Sequence, residues 1–339
     1  MPITLLLSLT IVLVGMALAL SQFCMVRAVL GVRDGDVSAA RCVLAISLAI
    51  AVSLQVLALF RGGETMPSYS PQLPVLLGGL LFGIAARANG GCYIGTTNEL
   101  CRGQWRRLFT VMGWVLGFAV LQRPPLPSHS QRPLELVLVL AGVALLLLIQ
   151  DRRARAEQQV FSPNPAITWL RGRRAWGLML CSGVLMGLLH HSGLPWHPSS
   201  LARSLGQFLT GTPLPAATGS TLLLLLGMVV VQGWLRQIQP TPPIRADLPL
   251  LFWGLLMGMG TVWGMGANDG YLFRSLPLGS LHAAFGLAAM TVGILLPLRW
   301  PAWMVSHQPG RVDRGGDPAQ ASAGTRAAGR DAVDPFHGR

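Results

Sequence analysis

The residue in this chain best placed to do chemistry is Cys92. It follows Asn89-Gly90-Gly91 at the end of an apolar run and precedes Tyr93-Ile94-Gly95-Thr96-Thr97. Two adjacent glycines lower the cost of leaving helical geometry. A thiol is a weak donor with a polarizable sulfur, so it can touch a soft solute without holding it tightly. A broken helix also leaves backbone N–H groups without helical partners, and these can face an anion. A second thiol, Cys24, sits in Gln22-Phe23-Cys24-Met25-Val26-Arg27. A second bend of the same kind reads Gly266-Ala267-Asn268-Asp269-Gly270. The candidate pathway residues are therefore Cys24, Gly90, Gly91, Cys92, Gly95, Gly266, Asn268 and Gly270.

The remaining polar residues have plainer readings. Cys42, Cys101 and Cys181 lie in or beside apolar runs, where a free cysteine behaves as a small hydrophobe. Asp269 reads as a pathway group or as a structural one, pairing with Arg274 at a membrane edge or capping a short helix. Arg87 attracts anions in one reading and snorkels in the other. Glu99 is expected to pair with a nearby arginine. His190, His191 and His197 do not make a metal site, because adjacent histidines point to different helix faces and Pro195 interrupts the spacing. No metal and no cofactor are expected.

These residues need apolar elements to hold them. The chain has 339 residues, 52% of them hydrophobic and only 12% charged. About 20 apolar residues span roughly 30 Å of hydrocarbon. Nine such runs are legible: 3–20, 42–60, 73–88, 108–121, 134–149, 175–189, 216–235, 248–265 and 281–298. The first has no positively charged n-region, so it reads as an uncleaved span. The net charge of +13 is carried by arginines that fall between the runs or in the tail, which argues against nucleic acid and for contact with the lipid bilayer. Five cysteines, mostly in apolar surroundings, do not suggest a disulfide framework. No Walker A sequence, nucleophile elbow or dinucleotide fingerprint is present, and the chain does not read as an enzyme.

The sequence also repeats itself. Gly254-Leu255-Leu256-Met257-Gly258 matches Gly79-Leu80-Leu81-Phe82-Gly83, and Gly266 and Gly270 match Gly91 and Gly95. After a one-residue shift, Gly279, Phe285 and Gly293 stand opposite Gly103, Phe109 and Gly117. The third and eighth runs are an odd number of spans apart, so the two copies are expected to be inverted. Broken segments in corresponding positions of two inverted halves point to a transport site at their interface. The expected fold is an all-α polytopic membrane protein of about nine transmembrane helices. Its permease domain covers 1–304, with half one at 3–123, a linking span at 134–150 and half two at 174–300. The tail, 305–339, is rich in Gly, Asp, Arg and Ala and reads as disordered.

Gly-Gly-Cys92-Tyr-Ile-Gly-Thr-Thr-Asn-Glu with its upstream Gly-x-x-x-Gly resembles the signature of the YeeE/YedE sulfur-transport family. Residues 22–29, Gly266-Ala267-Asn268-Asp269-Gly270 and Leu194-Pro195-Trp196 resemble it too, and the likeness covers about residues 10–300. The resemblance implies an inner-membrane permease for thiosulfate or a related small sulfur-containing anion, with cysteines at broken helices touching the substrate. It also implies a separate sulfur-carrier protein as a partner of some members. The alternative it leaves is a non-transporting sulfur or selenium relay or anchor. The chain departs from the family at Ala267, where members often carry a cysteine.

Orientation follows from the arginines. Fourteen lie in the loops after the first, third, fifth and seventh runs, and five in the loops after the second, fourth, sixth and eighth. Positive charge stays in the cytoplasm, so the N-terminus is expected outside and the C-terminus inside. A reporter fused after Arg311 should be active only as a cytoplasmic fusion; activity confined to the periplasm would contradict this topology.

Overall fold

A helix that is apolar on every side has no face to turn to water, and the long helices of this chain are of that kind. The computed structural model describes residues 2–61, 67–69, 72–121, 128–130, 173–215 and 218–296. The run at 134–149 and the tail at 305–339 lie outside the described residues. Among the described residues, four helical stretches are long and apolar enough to cross a membrane and four more are shorter apolar helices.

The expected half one holds α1 (Pro2–Ser21), α2 (Met25–Arg33), α3 (Ser38–Arg61), α4 (Leu73–Asn89), α5 (Tyr93–Cys101) and α6 (Arg107–Val120). The expected half two holds α7 (Arg173–His191), α8 (Pro198–Leu209), α9 (Gly219–Trp234), α10 (Pro249–Trp263), α11 (Asn268–Gly270) and α12 (Leu281–Leu295). The short α11 runs on into one π-helical turn, Tyr271–Ser275. Two three-residue strands, β1 (Pro67–Tyr69) and β2 (Ser128–Ser130), pair antiparallel with Ser68 opposite His129.

Among the described residues a long helix stops, bends and restarts as a short one four times: α1 to α2, α4 to α5, α7 to α8 and α10 to α11. Each bend contains a residue in the left-handed region: Gln22 at φ 47, Gly90 at φ 78, Gly193 at φ 69 and Met265 at φ 61. Glycine takes that conformation freely. Gln22 and Met265 do so at a cost of about 1–3 kcal/mol each, which the surrounding structure must offset. Each bend then ends in an extended residue that opens the short helix: Cys24, Cys92, His197 and Ala267.

The long helices pack in corresponding sets. In one set α1 lies against α9 while α7 lies against α3; in the other, α4 lies against α12 while α10 lies against α6. The pairs α1–α7 and α4–α10 also touch. Close approach is made by small residues. A side chain on Gly83 would strike the Met290 backbone of α12, and one on Gly258 would strike Trp114 and Gly117 of α6. The Gly-x-x-x-Gly face read from the sequence is therefore the face that meets a neighbouring backbone. Gly83→Leu should lower folded yield and melting temperature sharply, because backbone cannot shift as a flexible side chain can, and overpacking costs about 1–3 kcal/mol even where it can be relieved. Gly219→Ala meets nothing within 4 Å and should behave like the parent. Size-exclusion profiles after graded heating measure the difference.

Candidate functional site

The bend between α4 and α5 is built by Asn89. This residue is buried, and its amide nitrogen donates to the Gly91 carbonyl at 3.0 Å and to Thr96 Oγ1 at 2.9 Å. Its amide oxygen accepts from Thr110 Oγ1 at 2.7 Å. Its carbonyl accepts from Arg107 Nη1 at 2.6 Å. Arg107 is 1% exposed and forms an ion pair with Glu99, which meets the expectation that Glu99 finds an arginine. One amide side chain and one guanidinium thus satisfy backbone that the break would leave bare. In hydrocarbon that satisfaction is obligatory, because no water reaches the freed groups.

The clamp sets Cys92 in place as the N-cap of α5, fully buried. Cys24 opens α2 in extended backbone, and its sulfur lies 3.8 Å from that of Cys92. The Met25 backbone N–H donates to Cys92 Sγ at 3.4 Å. Two thiols from bends 68 residues apart are therefore neighbours. Gly95 makes room for them: a Cβ there would lie 2.7 Å from Cys24 Sγ and 3.8 Å from Cys92 Sγ. The Tyr93 ring is fixed between Trp114, at 4.2 Å, and Phe82, at 5.7 Å.

The second bend is held differently. Tyr271 donates from its hydroxyl to the Gly264 carbonyl, and a side chain on Gly266 would run into the Tyr271 ring. Ala267 and Asn268 are both buried. Asp269 is fully buried and accepts from the Ser199 N–H of α8 at 3.0 Å and from the Gly270 N–H at 2.9 Å. Capping is thus the role its contacts describe. A Cβ on Gly270 meets nothing within 4 Å. Arg87 donates to the Ile294 carbonyl at 2.7 Å, close to the end of α12. Cys101 lies 3.9 Å from the Leu225 carbonyl, and Cys181 is exposed on the outer side of α7. Among the described residues no group of three or more His, Cys, Asp or Glu could hold a metal ion.

Of the residues named from sequence, Cys24, Cys92 and Gly95 come together directly. Gly90 and Gly91 form the turn that leads to them. Gly266, Asn268 and Gly270 belong to the other bend, whose α11 touches α5. Asn89, Thr96, Arg107 and Thr110 were not singled out from sequence. The available signal was a row of polar residues inside or beside apolar runs.

A helix-rich chain with several long apolar helices, and bends that place polar and thiol groups in its interior, has the make-up of a polytopic membrane protein. The sulphur-transport family, YeeE/YedE, matches residues 20–296, and the chain belongs to that family. No curated protein matches it.

Removing the guanidinium should undo the clamp. Arg107→Ala leaves Glu99 and the Asn89 carbonyl without their partner, a loss of about 3–5 kcal/mol for a buried ion pair broken on one side. Arg107→Lys should recover only part of it, since one ammonium cannot reproduce the guanidinium's fork of donors. Thermal unfolding in detergent reads both; a parent-like melting point for Arg107→Ala would contradict the clamp.

Proposed function

We propose that this chain is an inner-membrane permease for a small sulfur-containing anion, thiosulfate or a close relative. The single observation that carries the reading is the 3.8 Å approach of the Cys24 and Cys92 sulfurs at two helix starts inside the bundle. Family membership supplies sulfur transport as the class of function. The thiols supply two weak, polarizable contacts for the terminal sulfur of such an anion. Weak contacts suit passage, because a solute held tightly does not leave.

The path runs between two inverted halves, 3–123 and 174–300, joined by the span at 134–150. The correspondence of the four bends and of the helix pairs supports that arrangement. In it, α1 to α6 exchange with α7 to α12, and the pairs α4–α10 and α1–α7 lie on the axis. The arginine bias supports an external N-terminus and a cytoplasmic C-terminus. The pathway residues are Cys24, Gly90, Gly91, Cys92 and Gly95 from half one, and Gly266, Asn268 and Gly270 from half two. Any sulfur-carrier protein that works with it is a separate chain, since the sequence holds no Cys-Pro-x-Pro carrier motif.

Cys92→Ser keeps the size of the side chain but replaces sulfur with a harder, more strongly hydrated oxygen. It should insert and fold normally and lose most uptake of labelled thiosulfate into proteoliposomes. Cys181→Ser should leave uptake unchanged, since that thiol is exposed away from the bends. Parent-level uptake by Cys92→Ser at equal expression would reduce Cys92 to packing.

A further inference from the structure

The thiol pair has a counterpart without thiols. His197 opens α8 as Cys24 opens α2, and Ala267 opens α11 as Cys92 opens α5. At these two starts stands a group of buried polar atoms without partners. They are the indole Nε1 of Trp196, the imidazole Nε2 of His197 and both amide atoms of Asn268. Trp196 and Asn268 are 0% exposed, and His197 is 6% exposed. His190 adds another unpartnered Nε2, its ring 6.0 Å from that of His197.

The two helix starts that carry these groups adjoin. The Trp196 and His197 rings stack at 4.3 Å. The Ser199 N–H, in the first turn of α8, donates to Asp269, the residue after Asn268. The Asp269 carboxylate is thereby occupied by backbone donors. A buried polar atom left unpaired costs free energy, and proteins keep few of them. Several such atoms at two adjoining helix starts mark a place where something else supplies the partners.

The chemistry of those atoms says what that is. The indole only donates, the amide offers two N–H groups, and the imidazole Nε2 donates in one of its tautomers. Donors outnumber acceptors, and no soft atom is among them. Hard oxygens fit. A chain of rings joins this group to the thiols: Phe23, next to Cys24, lies 5.1 Å from Phe273, which lies 5.9 Å from Trp196.

We propose that Trp196, His197 and Asn268 form a second subsite that binds the oxygen atoms of a sulfur oxyanion by hydrogen bonds. It rests on the transport reading of the thiol pair and divides the work with it. The thiols meet the soft sulfur, and the indole, imidazole and amide meet the oxygens. Asn268 then lacks a protein partner for its amide because its partner is the solute.

Sulfate tests this, because it carries the oxygens without the terminal sulfur. Dissociation constants for thiosulfate and for sulfate would be measured on the full chain in lipid nanodiscs, for the parent, Asn268→Ala and Cys92→Ser. Asn268→Ala should weaken both anions about tenfold, the worth of a hydrogen bond to a charged group. Cys92→Ser should weaken thiosulfate and leave sulfate nearly unchanged. His197→Gln, which keeps an N–H, should retain sulfate binding that His197→Phe loses. Asn268→Ala should also melt no lower than the parent, because it removes no hydrogen bond of the empty protein. Parent-like sulfate binding by Asn268→Ala overturns the subsite, and so does a parent chain that binds thiosulfate but no sulfate. A lowered melting point would assign Asn268 a structural role instead. Unchanged thiosulfate binding in Cys92→Ser beside impaired binding in Asn268→Ala overturns the thiol reading alone. A parent that binds neither anion contradicts both.

Discussion

Backbone that leaves the helix inside an apolar bundle must find its hydrogen-bond partners within the protein. That constraint governs this structure more than any other. Among the described residues the chain breaks four times between a long helix and a short one, and every break frees N–H and C=O groups inside the bundle. At the break between α4 and α5 the partners come from Asn89, whose amide and carbonyl engage Gly91, Thr96, Thr110 and Arg107 together. At the break between α10 and α11 they come from the Tyr271 hydroxyl and from Asp269, which reaches across to the start of α8. Once those groups are in place, the residue that opens each short helix is fixed in extended backbone and held inside the bundle.

The residues that open the short helices differ in chemistry between the first and second parts of the chain. In half one the opening residues are cysteines, and Gly95 lets their sulfurs approach each other. In half two they are His197 and Ala267, with Trp196 and Asn268 beside them. On the proposed reading, the different side chains at corresponding helix starts suit a solute whose two ends differ. An anion with one soft sulfur and several hard oxygens is such a solute, and family membership makes a sulfur compound the class of cargo.

Much of this was legible in the sequence, for physical reasons. Gly90 could be read as a break because glycine occupies the left-handed region without cost, and the structure has it there. Gly79 and Gly83 could be read as a contact face because their spacing places them on one side of a helix. The meeting of Cys24 with Cys92 was not legible. It depends on how two bends 68 residues apart are placed, and nothing in either local sequence encodes that placement. Asn89 was passed over as part of a turn, although its burial and four polar contacts make it the centre of the bend. Gln22 and Met265 sit in left-handed backbone where sequence would call for glycine. The sequence leaves Asp269 open between a pathway role and a structural one, and only the Ser199 contact shows which residues it serves. The run at 134–149, counted as a span from its composition, lies outside the described residues.

The central claim is that the soft end of the solute rests against the two thiols. Selenosulfate, in which selenium replaces the terminal sulfur of thiosulfate, locates that end directly. Anomalous scattering from crystals of the full chain grown with selenosulfate should give one selenium peak in van der Waals contact with both Cys24 and Cys92 sulfurs. A well-occupied selenium peak elsewhere in the bundle, with both thiols untouched, would contradict the account.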